Sequence, residues 1–262
     1  MKVYGVQFDM QWEDKKANFR TVREMLAQAN VEPGSLIVLP EMFATGFSMN
    51  AGAIAHGEPY KTESFLTEMA LQTKTFVLGG LTALSSGGKG RNMLLVCNPQ
   101  GSTIAHYQKM HPFSYAGETQ HYICGDQLTL FDCREYTIAP FICYDLRFPE
   151  IFRHAVQLGA NLFVVIACWP AAREAHWLAL LQARAIENQA YVIGVNRCGA
   201  DPKLAYSGRS IVYDPLGKVV VDAGSEPEVV CAELDVSVLE NFRRDFPALA
   251  DIRREYRHEE VE

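Results

Sequence analysis

The chain has 262 residues, 48% of them hydrophobic and 21% charged, with a formal net charge of −7. That balance fits a globular protein with a large core, and the acidic excess gives no electrostatic reason to expect nucleic acid or an anionic membrane as partner. A small-molecule partner suits such a surface better.

No basic segment followed by an apolar stretch opens the chain, and no apolar run is long enough to span a bilayer, so a cytoplasmic location is expected. Cysteines at 97, 124, 133, 143, 168, 198 and 231 never form a C-x-x-C pair. Neither a disulfide framework nor a metal site is expected.

Taken in order, "KVYGVQFD" alternates as a half-buried strand, "WEDKKANFRTVREMLAQA" has helical spacing at Phe19, Val22, Leu26 and Ala29, and "SLIVLPE" is a short apolar strand. "ESFLTEMALQTK" reads as a helix, and "TFVLGGLTAL" and "NMLLVCN" as strands joined by the turn "SSGGKGR". "STIAHYQK" is a further strand, "QLTLFDCREYTIAPFICY" holds two, "PEIFRHAVQLG" is a helix closed by Gly159, and "ANLFVVIACW" is a buried strand. After the helix "HWLALLQARAIENQ" come "YVIGVNR", the hairpin "GRSIVYDPLGKVVVDA" and "EVVCAELD", then a short helix and a charged tail. No linker, repeat or composition break interrupts this alternation, so residues 1–262 read as a single α/β domain with helices outside its sheets.

Three predicted strand ends carry the residues of a thiol hydrolase: Glu41 closes "IVLPE", Lys109 closes "IAHYQK" and Cys143 closes "FIC". A free thiol is only a few per cent thiolate at neutral pH, so a nucleophilic cysteine needs a cation to hold its anion or a base to take its proton. A lysine supplies the first and a glutamate the second. Each residue alone has a plainer reading, since a cysteine after an apolar run is more often inert core. His176, which opens a helix beside Trp177, reads as packing rather than as half of a Cys-His pair. Arg184, Glu187 and Asn188 share one helical face and read as a structural hydrogen-bond set, and Asp145 and Arg147 as supports of the nucleophile's turn.

Together the three ends sit in blocks, "IVLPEMFATGFS", "YQKMHPF" and "ICYDLRFPE", whose order resembles the nitrilase or carbon–nitrogen hydrolase superfamily. "ACWPAAREAHWLALLQARAIENQAYVIGVNR" and "YSGRSIVYDPLGKVV" extend the resemblance nearly end to end. It implies a four-layer α-β-β-α sandwich and a Glu-Lys-Cys triad of Glu41, Lys109 and Cys143. It also implies a second glutamate, Glu118 in "YAGETQHY", and an oxyanion donor from the backbone N–H of Tyr144. Cys143-Tyr144-Asp145 lacks the Cys-Trp-Glu form of true nitrilases, which demotes nitrile hydrolysis.

Within the superfamily the chain is similar to bacterial omega-amidases, which implies hydrolysis of a 2-oxo acid amide through a thioester and without a metal or organic cofactor. An N-carbamoyl amino acid amidohydrolase is the alternative. The substrate carboxylate is expected to meet Arg173, between walls formed by Phe43 and Trp169. Family members pair through helices, so a homodimer is expected, with residues 241–262 as a tail at the interface.

Overall fold

The computed structural model describes residues 1–55 and 60–253. In chain order its elements begin with β1 (Lys2–Gln7), α1 (Lys15–Gln28), β2 (Leu36–Val38), α2 (Ala51–Ile54), α3 (Tyr60–Thr73), β3 (Phe76–Leu84), β4 (Gly90–Cys97) and β5 (Thr103–Gln108). The middle contributes α4 (Glu118–His121), β6 (Phe131–Cys133), β7 (Tyr136–Ile142), α5 (Pro149–Gln157), β8 (Leu162–Ala167) and α6 (Glu174–Asn188). The rest is β9 (Tyr191–Asn196), β10 (Cys198–Ala200), β11 (Ala205–Ser207), β12 (Ile211–Tyr213), β13 (Val219–Asp222), β14 (Glu228–Glu233) and α7 (Val236–Asp245).

Two six-stranded sheets form among these residues, in the orders β14-β1-β2-β3-β4-β5 and β13-β12-β9-β8-β7-β6. Read from β14 and from β6, both run antiparallel, parallel, parallel, antiparallel, antiparallel. Parallel neighbours require a crossover. Helices α1 and α3 provide the two in the first sheet, and α5 and α6 those in the second.

Strand alternation sorts the side chains into layers. Leu36, Val38, Leu78 and Val96 join Ile138, Val164 and Val195 of the second sheet in one cluster. Ile37 and Val77, on the opposite face, pack with Val22 and Leu26 of α1 and Leu66 and Met69 of α3. Phe152 of α5 and Trp177 and Leu181 of α6 cover the second sheet and are fully buried or nearly so. Each such side chain contributes about 1.5–3 kcal/mol of transfer free energy. The layer order is therefore helix, sheet, sheet, helix, as the family resemblance implied.

Local chemistry fixes the ends of these helices. Asp14 accepts the Ala17 N–H at 3.0 Å to start α1. Pro149 opens α5, and Gly159, at φ +104°, lets the chain turn away after it. No helix among the described residues is long and apolar enough to cross a membrane.

One region adds an element that simple alternation does not show, and another lies towards the C-terminus. Residues 198–207, which the sequence shows only as a bend, form the antiparallel hairpin β10–β11. Arg197 anchors it, donating to Asp9 Oδ1 and the Ala200 carbonyl at 2.8 Å each and lying 4.4 Å over the Tyr206 ring. The C-terminal segment, as far as residue 253, packs on its own subunit. Leu239 is buried in the core, Arg243 donates to the Gln189 carbonyl at 2.9 Å, and the Phe246 carbonyl accepts from Gln189 at 2.7 Å. Residues 254–262 of the expected interface tail lie outside the described residues.

Candidate active site

Three rigid strands deliver three chemically active side chains to one place. Lys109 directly follows β5, Cys143 directly follows β7, and Glu41 lies three residues beyond β2. Met42 and Cys143 both adopt left-handed backbone, at φ 43° and 49°. Non-glycine residues hold that conformation only where their surroundings impose it, and such strain concentrates at functional turns. Gly80 of β3 makes room for the Glu41 turn, because an added Cβ would lie 2.6 Å from the Met42 nitrogen and 2.8 Å from Glu41 Cα.

Glu41, Lys109 and Glu118 are almost wholly sealed from solvent. The Lys109 ammonium donates to Glu41 Oε1 at 3.0 Å and to Glu118 Oε2 and Oε1 at 2.9 and 3.2 Å. Burial alone would push the lysine towards neutrality. The Glu118 and Glu41 carboxylates outweigh it and hold the ammonium well above the usual lysine range. Cys143 behaves oppositely. Burial and then the Glu41 charge push its thiol well above the ordinary range, and the pull of Lys109 does not compensate. Burial and the Glu41 charge thus disfavour the thiolate more than Lys109 favours it, and a base that takes the proton as the sulfur attacks suits such a site.

Asp145 secures the nucleophile's turn. Fully buried, it accepts from Tyr107 OH at 2.7 Å, the His111 N–H at 2.9 Å and the Ile142 N–H at 3.1 Å, with His111 Nδ1 also at 2.9 Å. Arg147 does not hold this turn. Its guanidinium lies 4.8 Å over the Trp169 ring and 3.1 Å from His176 Nδ1, which places His176 beside an arginine and not the nucleophile. Arg184 bonds the Leu146 carbonyl at 2.7 Å and Glu187 at 2.9 Å, and its own carbonyl accepts from Asn188 at 3.1 Å, as a structural set does.

A cavity of about 130 Å³ opens onto Cys143. Tyr144, Trp169 and Arg173 are among the residues that line it. Phe43 does not. Its ring sits between Phe19 and Phe65 at 6.0 and 5.7 Å, in the layer beneath α1 and α3, because the turn after Glu41 directs it away from the cavity. Phe47 lines the cavity instead, with Lys109 Nζ 5.1 Å from its ring. The β10–β11 hairpin closes the far side with Asp201, Lys203, Leu204 and Tyr206.

Asp201 bonds within its own hairpin and not to the cations of this cavity. Its Oδ1 accepts the Lys203 and Leu204 N–H groups at 2.7 Å each, and its Oδ2 the Tyr206 hydroxyl at 2.5 Å. Arg147, Arg173 and Lys203 therefore face the cavity without an ion pair among the described residues. Such a site suits an anionic group at the end of a small substrate. Among the described residues no group of His, Cys, Asp or Glu is arranged to hold a metal ion.

Sequence reasoning missed Asn92, which donates to Glu41 Oε1 at 2.7 Å and Glu118 Oε1 at 3.0 Å. The only local signal was a polar residue at the start of an apolar strand. Cys168, which also lines the cavity, donates its backbone N–H to Glu41 Oε2 at 2.8 Å.

Comparison with known proteins agrees with this geometry. The family model for carbon–nitrogen hydrolase matches residues 3–244. The chain is 40% identical to the omega-amidase YafV of Yersinia enterocolitica over 255 residues, covering 96% of each chain. It is 30% identical to the 2-oxoglutaramate amidase of Bacillus subtilis, covering 95% of this chain and 96% of the other. A carbon–nitrogen hydrolase superfamily protein from Xanthomonas campestris, solved with an arsenic adduct in its active site, superposes with a TM-score of 0.91 at 31% identity, covering 97% of each chain. With its sandwich of paired sheets and its buried Glu41-Lys109-Cys143 constellation, this chain belongs to the carbon–nitrogen hydrolase family.

Proposed function

We propose that the protein is an amidase that hydrolyses the side-chain amide of a small 2-oxo acid amide, of the 2-oxoglutaramate or 2-oxosuccinamate type, to the dicarboxylate and ammonia. The observation that carries this reading is Cys143 in a cavity that Arg147, Arg173 and Lys203 also line, with the buried Lys109–Glu41 ion pair supplied by neighbouring strand ends. Relatives named omega-amidase and 2-oxoglutaramate amidase over nearly the full length support the substrate class.

In the first half-reaction Cys143 sulfur attacks the amide carbon while Glu41 takes the thiol proton. The carbonyl oxygen becomes an oxyanion, held by the Lys109 ammonium and the Tyr144 N–H. Glu41 passes the proton to the nitrogen, the carbon–nitrogen bond breaks and ammonia leaves a thioester. In the second half Glu41 takes a proton from water, the hydroxide adds to the thioester carbon, and the carbon–sulfur bond breaks as the proton returns to sulfur. Glu118 supports Lys109 throughout. Arg173, with its guanidinium 5.4 Å over the Phe113 ring, meets the substrate carboxylate beside Trp169.

A side-by-side ammonia-release assay tests the reading, with 2-oxoglutaramate, glutamine, asparagine and N-carbamoyl-β-alanine as substrates. Preference for 2-oxoglutaramate supports it. Preference for the ureido compound would select the N-carbamoyl amino acid amidohydrolase alternative.

A further inference from the structure

Asn92 touches every fixed member of the cluster beneath the nucleophile. Its carbonyl accepts the Lys109 backbone N–H at 2.9 Å, and its Nδ2 donates to Glu41 Oε1 at 2.7 Å and to Glu118 Oε1 at 3.0 Å. β4 holds it rigidly, paired with Thr82 of β3, and it is almost wholly buried.

Its orientation is set by charge. Reversing the amide would aim a carbonyl oxygen at two carboxylates, so the donor end must face them. The consequence is visible: among the described residues, Asn92 Oδ1 is buried without a hydrogen-bond partner. A buried acceptor left unsatisfied is unfavourable and uncommon, and where one persists it calls for an explanation. Two charge-assisted bonds from one neutral side chain provide it.

A neutral donor also suits the charge count. The formal charges of Glu41, Glu118 and Lys109 sum to one negative charge. A cation at position 92 would neutralise the carboxylate that must act as base, and an anion would repel both.

The contacts also separate the oxygens of Glu41. Oε1 accepts from Lys109 and Asn92, which occupies both its lone pairs, whereas among the described residues Oε2 accepts only the Cys168 N–H at 2.8 Å. We infer that Asn92 is a positioning residue for the hydrolytic reaction, holding Glu41 and Glu118 about Lys109 so that Glu41 Oε2 is the atom that takes the Cys143 proton. This inference rests on the amidase reading.

The test uses Asn92→Leu, which keeps the branched heavy-atom shape and removes the donor, and Asn92→Asp, which keeps the shape and size and replaces the donor by an acceptor. For Asn92→Leu we expect kcat to fall roughly a hundredfold with KM changed less than about threefold, as for a misplaced catalytic group. The acidic limb of its kcat profile should also move to higher pH, because carboxylates stripped of a donor are protonated more readily. Purely structural packing would lower the unfolding temperature and leave that limb in place. An Asn92→Leu enzyme with kcat within about threefold of the parent and an unmoved limb overturns the inference.

If Asn92→Leu gives no cooperative unfolding transition, Asn92→Asp decides by the same two criteria. The rate of iodoacetamide labelling at Cys143, followed against pH by mass spectrometry, separates this inference from the choice of substrate. A parent enzyme that releases no ammonia would overturn the amidase reading, and the labelling profiles of the variants would still report on Asn92. Unshifted profiles in both variants would refute its role.

Discussion

The Tyr107 hydroxyl donates to Asp145 Oδ2 at 2.7 Å, linking the strand that ends at Lys109 to the turn that begins at Cys143. Both side chains are buried, and the bond spans the two sheets, since Tyr107 lies in β5 and Asp145 follows β7. Nucleophile and cation thus keep their separation through a contact that touches neither. Tyr107→Phe leaves a buried carboxylate short of one donor. It should destabilise the protein by about 1.5–3 kcal/mol, the range for hydrogen bonds to charged groups. It should also lower kcat by roughly tenfold with little change in KM, through displacement of reacting groups. Denaturant unfolding and steady-state kinetics on the one variant check both.

The charge of Glu41 acts on Cys143 in two opposed ways, and Glu41→Gln separates them. Hydrolysis should fall by roughly 10²–10⁴-fold with the loss of a general base. The sign for the thiol is opposite: burial raises it most, Glu41 raises it further and Lys109 lowers it. Removing the Glu41 charge therefore makes the thiolate easier to form. The pH limb of iodoacetamide labelling at Cys143 should move downward in Glu41→Gln, and a limb that moves upward would contradict the assigned electrostatics.

Arg173 tests how the substrate's far end is read. Its replacement by Ala should reduce kcat/KM for 2-oxoglutaramate about ten- to a hundredfold more than for a neutral amide of similar length, the worth of a charge-assisted carboxylate contact. An equal loss for both substrates, or none, would assign the carboxylate to Arg147 or Lys203, which line the same cavity.

Assembly is open to direct measurement. Phe246 is 60% exposed and lies 6.0 Å from the Phe242 ring, an apolar surface at the end of α7. We propose that a homodimer covers this surface, so sedimentation at micromolar concentration should show a dimer that Phe246→Ser weakens. A monomer would remove the assembly proposal and leave the site untouched.

How much of this was legible in sequence follows from how local each signal was. The strands and helices announced themselves through alternation and helical spacing. The blocks around Glu41, Lys109 and Cys143 pointed to the family, which the family model over residues 3–244 shows. Phe43 misled because residues 41–47 form irregular turns with no periodicity to say which ring faces the cavity, and Phe47 took the expected place. Asn92 stayed hidden because it meets Glu41 from 51 positions away and looks, in sequence, like the polar start of a strand. The hairpin at 198–207 was hidden because each of its strands has three residues, too few to show alternation.

The central claim is that Cys143 carries the acyl group between two half-reactions. The most direct measurement mixes the enzyme briefly with 2-oxoglutaramate, quenches in acid and weighs the peptide bearing Cys143. The account requires a mass gain on Cys143 equal to the substrate minus ammonia, appearing with the first ammonia and decaying to free thiol, and neither signal in Cys143→Ala. Ammonia released at the parent rate by Cys143→Ala, or turnover in which Cys143 never gains mass while another residue does, would contradict it.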